Sequence, residues 1–385
     1  MSRAIVQIAG PFAALFLLIA AFFAYEPLRK PFGGEPPPME ELTVERTVLD
    51  ESGIALQVRA GGTGSVSIAQ IQVDGAYWRF AQDPPGALPR LSVAWISIPY
   101  PWVEGETHKI LFVTRTGITF EHEIEVAWPT PRVDTQSFGR LTLAGLFLGV
   151  LPIALGMLFY PALKSGGSIA FQFALALTLG LLAFLLVDTL SNALEIAEKA
   201  APGLKSGLLV WIVAALSSLL LWGLAHWRGE GFTSLGLAAS IAFAIGVHNL
   251  GEGLAVGSAF ATGAAALGGF LLLGFTVHNV TEGIGIVAPL LKRKPSLLVL
   301  AGLVCLAGLP AVLGLWLGAF AFTNHWAALA LALGAGAILQ VTIEIGLLLR
   351  QQIGPKSQSR DYPVILGGLI VGVAIMYLTG LLVEI

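Results

Sequence analysis

Nine stretches of mostly apolar sequence run through a chain of 385 residues. Each is close to the roughly 20 residues that a helix needs to cross the hydrocarbon core of a bilayer. They fall at roughly 4–25, 139–160, 168–190, 206–226, 233–260, 266–290, 296–320, 326–349 and 362–383. Charged residues make up only 12% of the chain and AVILMFWYC 56%, whereas a soluble domain carries about 25% charge. So little charge cannot cover a water-facing surface, so the chain is read as an integral membrane protein. With a net charge of −3 and no basic block, nucleic acid is excluded as a partner. One cysteine, Cys305, excludes an internal disulfide and any Cys-cluster site. No GxxxxGK[ST] run is present, so no phosphate-binding loop drives the protein.

The first span stands apart from the other eight. Residues 1–27 read as an anchor helix in preference to a cleaved signal peptide, because the apolar run is long and Phe22 and Phe23 spoil a small-x-small cleavage site. A polar segment follows, assigned to an outer domain over 28–134; the eight remaining spans, over 135–385, form a second domain. Cationic residues mark the cytoplasmic loops. Lys164, Arg228, Lys292-Arg293-Lys294, Arg350, Lys356 and Arg360 fall in loops that share a side with Arg3, against Arg29 and Lys30. The N-terminus is then cytoplasmic, and the 28–134 domain and the C-terminus extracytoplasmic.

Within that domain, period-2 alternation predicts strands. Ile118, Phe120, His122, Ile124 and Val126 fall on one face; so do Ile54, Leu56 and Val58, and Leu91, Val93 and Trp95. Asp83-Pro84-Pro85-Gly86 and Thr114-Arg115-Thr116-Gly117 read as turns. The expected fold is a small β-sandwich of immunoglobulin-like kind. Dimerisation and shielding of a pore mouth are roles open to it; metal delivery by His108 and His122 is a weaker reading than ordinary strand histidines.

The informative residues are the ionisable ones inside the spans, each costing about 2.5–3.5 kcal/mol at mid-helix on insertion scales. Span five contains His248-Asn249-Leu250-Gly251-Glu252-Gly253, and span six contains His278-Asn279-Val280-Thr281-Glu282-Gly283. The pattern H-N-x-x-E-G thus occurs twice, 30 residues apart. Positions i, i+1 and i+4 lie within about 100° of arc, so His, Asn and Glu of each copy share a face. The two helices form a hairpin about residue 263, which sets both histidines near mid-membrane. Imidazoles, carboxylates and amides gathered in a dry place suit a divalent cation such as Zn²⁺ or Fe²⁺. The glycine after each glutamate permits close helix approach. Asp188, Asn192 and Glu195 share a face at the outer end of span three, and Glu344 lies toward the inner end of span eight. Together they extend the clusters into a ladder of cation-attracting groups.

These motifs resemble the ZIP (Zrt/Irt-like) family of divalent metal transporters over roughly 135–385. Gly180 through Asp188 resembles that family's second span, and Gly334-Ala335-Gly336-Ala337-Ile338 leading to Glu344 its seventh. The resemblance implies an all-α, eight-helix bundle, here with an anchor helix and an outer β-sandwich. It implies a transporter, not an enzyme, which moves a divalent ion toward the cytoplasm between spans five and six. His248, Asn249, Glu252, His278, Asn279 and Glu282 would be ligands or near-ligands, and Asp188, Asn192, Glu195 and Glu344 would line the path. Zn²⁺ is the first expectation, then Fe²⁺ and Mn²⁺, with no organic cofactor; the partners are the metal ion and the lipid bilayer, with a homodimer as a further option. Many relatives carry Pro before the motif glutamate, whereas this chain has Gly251 and Thr281, so less kinked helices are expected. Asn279 is acidic in some binuclear relatives, and no His-rich cytosolic loop is present between the family's third and fourth spans. An intramembrane zinc hydrolase is the alternative, but it lacks HExxH. A metal-sensing receptor is disfavoured by the lack of a sizeable cytosolic domain.

Overall fold

The structure, a computed structural model, describes residues 14–18, 20–21, 39–226, 233–261, 265–321, 323–352 and 361–381. The chain divides into two compact units, 1–39 and 40–385. Residues 14–18 and 20–21 of the first are helical (α1). The rest of the first apolar span, the Pro-rich linker at 36–38, the hairpin tip at 262–264 and the loops holding Arg228, Lys356 and Arg360 lie outside the described residues.

The second unit begins with eight strands in two sheets. One sheet has the order β1(Leu42–Asp50), β2(Gly53–Ala60), β6(Val93–Ile98), β5(Ala81–Asp83). The other has the order β4(Ala76–Trp78), β3(Ile68–Val73), β7(His108–Thr114), β8(Thr119–Ile124). All pairings are antiparallel. Lettered along the chain, the order is A-B-E-D against C′-C-F-G, which is that of immunoglobulin-type sandwiches. Leu49, Ile54, Leu56, Ile71, Ile96, Ile110 and Phe112 fill the space between the sheets. Ile54, Leu56 and Val58 face inward as their alternation predicts. In β6 the predicted faces are exchanged. Ala94, Ile96 and Ile98 are buried, because the strand starts only at Val93 and Leu91 lies in a turn with φ 62°. Both predicted turns are present, with Gly86 at φ 99° and Gly117 at φ 89°, values that favour glycine.

The histidines of the sandwich are structural. His108 Nδ1 lies 2.8 Å from Asp74 Oδ2, and its Nε2 accepts from the Val103 amide. His122 Nε2 lies 3.0 Å from Thr47 Oγ1. Burial pushes His122 down to about 4, because a dry site disfavours the imidazolium.

A helical bundle follows. It comprises α2(Thr135–Gly145), a π-turn over Leu146–Val150, α3(Leu151–Met157), α4(Tyr160–Ser165), α5(Gly167–Glu198), α6(Ser206–His226), α7(Ser234–Ala261), α8(Ala265–Val287), α9(Leu297–Ala321), α10(Asn324–Gln352) and α11(Asp361–Leu381). Among the described residues, seven helical segments are long and apolar enough to cross a membrane; Tyr362–Leu378 of α11 is a shorter apolar helix. Many large apolar side chains face outward, including Leu216, Leu219 and Leu220 of α6 and Leu366, Ile370 and Leu378 of α11. Such faces suit lipid rather than water.

Small residues bring the helices into backbone contact. A Cβ on Gly253 would lie 2.2 Å from the Ala311 carbonyl oxygen of α9, and one on Gly283 would lie 2.3 Å from the Ile153 carbonyl oxygen of α3. The glycine that ends each motif therefore meets a different neighbour in the same way. Gly372 of α11 meets the Leu177 carbonyl of α5 likewise, and Gly336 of α10 the Ala214 carbonyl of α6.

The sandwich sits on one end of the bundle. Arg46 of β1 donates from Nη1 to the Phe320 carbonyl (2.7 Å) and from Nη2 to the Ala319 carbonyl (3.4 Å). A guanidinium there complements the negative end of the α9 dipole. Gly203, in the α5–α6 connection, packs against Leu91 and the Gly61 carbonyl. At the other end, Lys164 and Tyr160 bond to the Arg293 carbonyl.

Candidate metal centre

The two motif helices run unbroken through their motifs, α7 over Ser234–Ala261 and α8 over Ala265–Val287. Without proline at 251 or 281, nothing interrupts their hydrogen-bond ladders. His248, Asn249, Glu252, Asn279 and Glu282 are all buried within the bundle. His278 lies in α8, with its side chain outside the described residues.

The buried groups form a connected set. His248 Nε2 lies 3.0 Å from Glu252 Oε1, one turn along the same helix. Glu252 Oε2 accepts from Asn279 Nδ2 across the helix pair at 3.2 Å. The first motif is thereby joined directly to the second. His248 Nδ1 lies 2.9 Å from Thr189 Oγ1 of α5.

Each asparagine is aimed by its nitrogen. Asn279 Nδ2 also donates to the Leu148 carbonyl at 3.0 Å. Pro152, four residues after Leu148, has no N–H to return to that carbonyl, so the asparagine supplies a missing donor. Asn249 Nδ2 donates to the Ala307 carbonyl at 3.0 Å. Ala307 follows Leu306, whose carbonyl loses its helical donor to Pro310 inside α9. Both amides are fully buried, and among the described residues neither Oδ1 has a hydrogen-bond partner. A buried acceptor left unmet costs about 1–3 kcal/mol; one of the two belongs to the amide that binds the Glu252 carboxylate, and the other to the residue next to His248 in α7. Among the described residues no lysine or arginine is buried.

The remaining predicted residues lie along α5 and α10. Asp188 Oδ2 accepts from Asn192 Nδ2 at 3.1 Å, both half-buried. Glu195 is exposed and pairs with Lys199 at 2.8 Å, a surface pair of small energetic weight. Glu344 accepts from buried Gln340 at 3.5 Å. Among the described residues no three His, Cys, Asp or Glu side chains are gathered into a ready cage. The structure joins His248, Glu252 and Asn279 directly, with Asn249 and Glu282 buried on the same two helices. Thr189 is the contact that sequence reasoning passed over; its signal was a hydroxyl immediately after Asp188 in a mostly apolar helix.

The chain matches no protein-family model and no curated protein.

Proposed function

We propose that this chain is a ZIP-like transporter that moves a divalent cation, Zn²⁺ first and Fe²⁺ or Mn²⁺ next, across a membrane into the cytoplasm. The observation that carries the reading is the buried His248–Glu252–Asn279 link, with Asn249 and Asn279 Oδ1 atoms that have no hydrogen-bond partner among the described residues. Acceptor oxygens without donors, an imidazole and carboxylates are what a borderline divalent ion uses as ligands. The ion would offset the buried negative charge, and the ligands its lost hydration.

In this reading Asp188 and Asn192 attract the ion from the extracytoplasmic side, with Glu195 at the rim. The ion sheds water between α7 and α8 and leaves past Glu282 and Glu344. The sandwich and the C-terminus are extracytoplasmic, and the Lys292–Lys294 end is cytoplasmic, in line with the charge bias of the loops. Access alternates by movement of one helix group against another. The glycine contacts to carbonyl oxygens under 2.5 Å link α3, α7, α8 and α9 in one set and pair α5 with α11 and α6 with α10, while Gly251, Gly285 and Gly334 make looser or side-chain contacts across these sets. Protons compete with metal for the ligands, so uptake is pH-dependent.

The test is flux of a panel of divalent ions into liposomes holding the purified full chain, with and without a pH gradient. Parent protein is expected to admit Zn²⁺. Glu252→Ala and Glu282→Ala, correctly inserted, are expected to lose at least tenfold in rate. Parent-like flux in both variants would remove the site assignment, and lipid or peptide hydrolysis without flux would favour a hydrolase.

A further inference from the structure

We infer that Thr189 is a positioning residue for His248, setting which ring nitrogen is presented to the ion and doing so from the opposite helix group. The inference rests on the transport reading above. Thr189 is 0% exposed, and its Oγ1 is 2.9 Å from His248 Nδ1. The other nitrogen, Nε2, faces Glu252 Oε1 at 3.0 Å. Held at both nitrogens, the ring cannot turn about its bond to Cβ without breaking one contact. The nitrogen left for an ion is then Nε2, on the side where the Glu252 carboxylate and the Asn279 amide converge. A partner at the far nitrogen is how proteins orient a metal-binding imidazole, and removing it typically lowers metal affinity about 10–100-fold.

The location of the bond adds a second consequence. Thr189 belongs to α5, whose tightest glycine-to-carbonyl contacts are with α11, whereas His248 belongs to α7, whose contacts of that kind are with α9, although Gly334 of α10 also approaches the His248 backbone at 3.3 Å. The hydrogen bond therefore spans the two groups whose relative movement would expose the site. Beyond a separation of about 3.5 Å it ceases to exist. His248 is thus held for the ion in the arrangement seen here and released when α7 shifts against α5, so affinity falls when the groups part.

The experiment is Zn²⁺ uptake by liposomes containing full-length Thr189→Val, Thr189→Ser, His248→Ala and Glu252→Ala, with Zn²⁺ titrated calorimetrically into each purified protein. Thr189→Val keeps the shape and removes the hydroxyl; it is expected to raise the half-saturating Zn²⁺ concentration and the Kd at least tenfold while the maximal rate changes less than threefold. Thr189→Ser keeps the hydroxyl and is expected to stay within about twofold of the parent. If the valine variant is not recovered folded, Thr189→Ala is read in the same assay. Parent-like affinity in the valine variant, or a serine variant as weak as valine, overturns the inference while loss in His248→Ala and Glu252→Ala leaves the transport reading standing. Parent-like uptake in those last two variants removes the transport reading itself, and the inference with it.

Discussion

Glu252 and Asn279, 27 residues apart on antiparallel helices, share a hydrogen bond of 3.2 Å in which the carboxylate of the first motif accepts from the amide of the second. The same amide nitrogen holds the Leu148 carbonyl of a third segment. A repeated sequence pattern thereby becomes a single polar cluster.

Removing either asparagine side chain has a structural effect apart from any ion. Asn279→Ala removes the side-chain donor from the Leu148 carbonyl, and Asn249→Ala removes a second donor from the Ala307 carbonyl. Each is expected to lower stability by about 1–3 kcal/mol, read as a drop in the thermal unfolding midpoint in detergent. Asn279→Ala is expected to show the larger drop, because Glu252 also loses a donor. Unchanged midpoints would mean that the amides do not support the neighbouring backbones.

The motif glycines are expected to tolerate no side chain. Gly253→Ala and Gly283→Ala set a methyl 2.2 and 2.3 Å from a backbone oxygen, which only a shift of a whole helix can relieve. A cost of about 1–3 kcal/mol or more is expected for each. Gly302→Ala in α9 meets nothing within 4 Å and is the control, neutral or stabilising by up to about 1 kcal/mol. Folded yield and thermal midpoint of the three variants decide the matter.

Arg46→Ala is expected to free the C-terminal turn of α9 and loosen the seat of the sandwich. Two charge-assisted bonds to carbonyls are lost, worth about 1–2 kcal/mol in a partly exposed setting. Hydrogen exchange at Ala319–Ala321 is expected to quicken, with β3 and β7 unchanged. Arg46→Lys is expected to recover part of the protection.

The sandwich is expected to gain stability as pH rises from about 4 to 6.5. His122 has an ordinary value of 6.5 and is held at about 4 in the folded protein. In that window the unfolded chain binds more protons than the folded one, so stability rises with pH and is lost as pH falls. The difference corresponds to roughly 3 kcal/mol. Hydrogen exchange of β8 amides across the window, corrected for intrinsic rates, is expected to lose this slope in His122→Phe.

Spans, strands and the twin motif could be read from sequence because each rests on local periodicity. Ile54, Leu56 and Val58 turned inward as their alternation requires, whereas β6 exchanged its faces because Leu91 entered a turn that no local pattern announces. The shared face of His248, Asn249 and Glu252 follows from helical geometry alone. What lay beyond reach were the partners of those faces. Thr189, the Leu148 carbonyl and the Ala307 carbonyl are 59, 131 and 58 residues from the groups they bind. Distances of that kind are fixed by packing, and no spacing rule encodes them. Glu195 shows the converse: its spacing from Asp188 held, but at the helix end it faces outward and pairs with Lys199.

Pro152 and Pro310 stand on helices that carry neither motif, yet each lies close along the chain to a carbonyl that accepts from an asparagine of a motif. A designer who transplanted the six-residue cassette into another helix pair would carry over the side chains without those broken ladders. The amide nitrogens would then turn elsewhere, and the two oxygens would lose the orientation they have here.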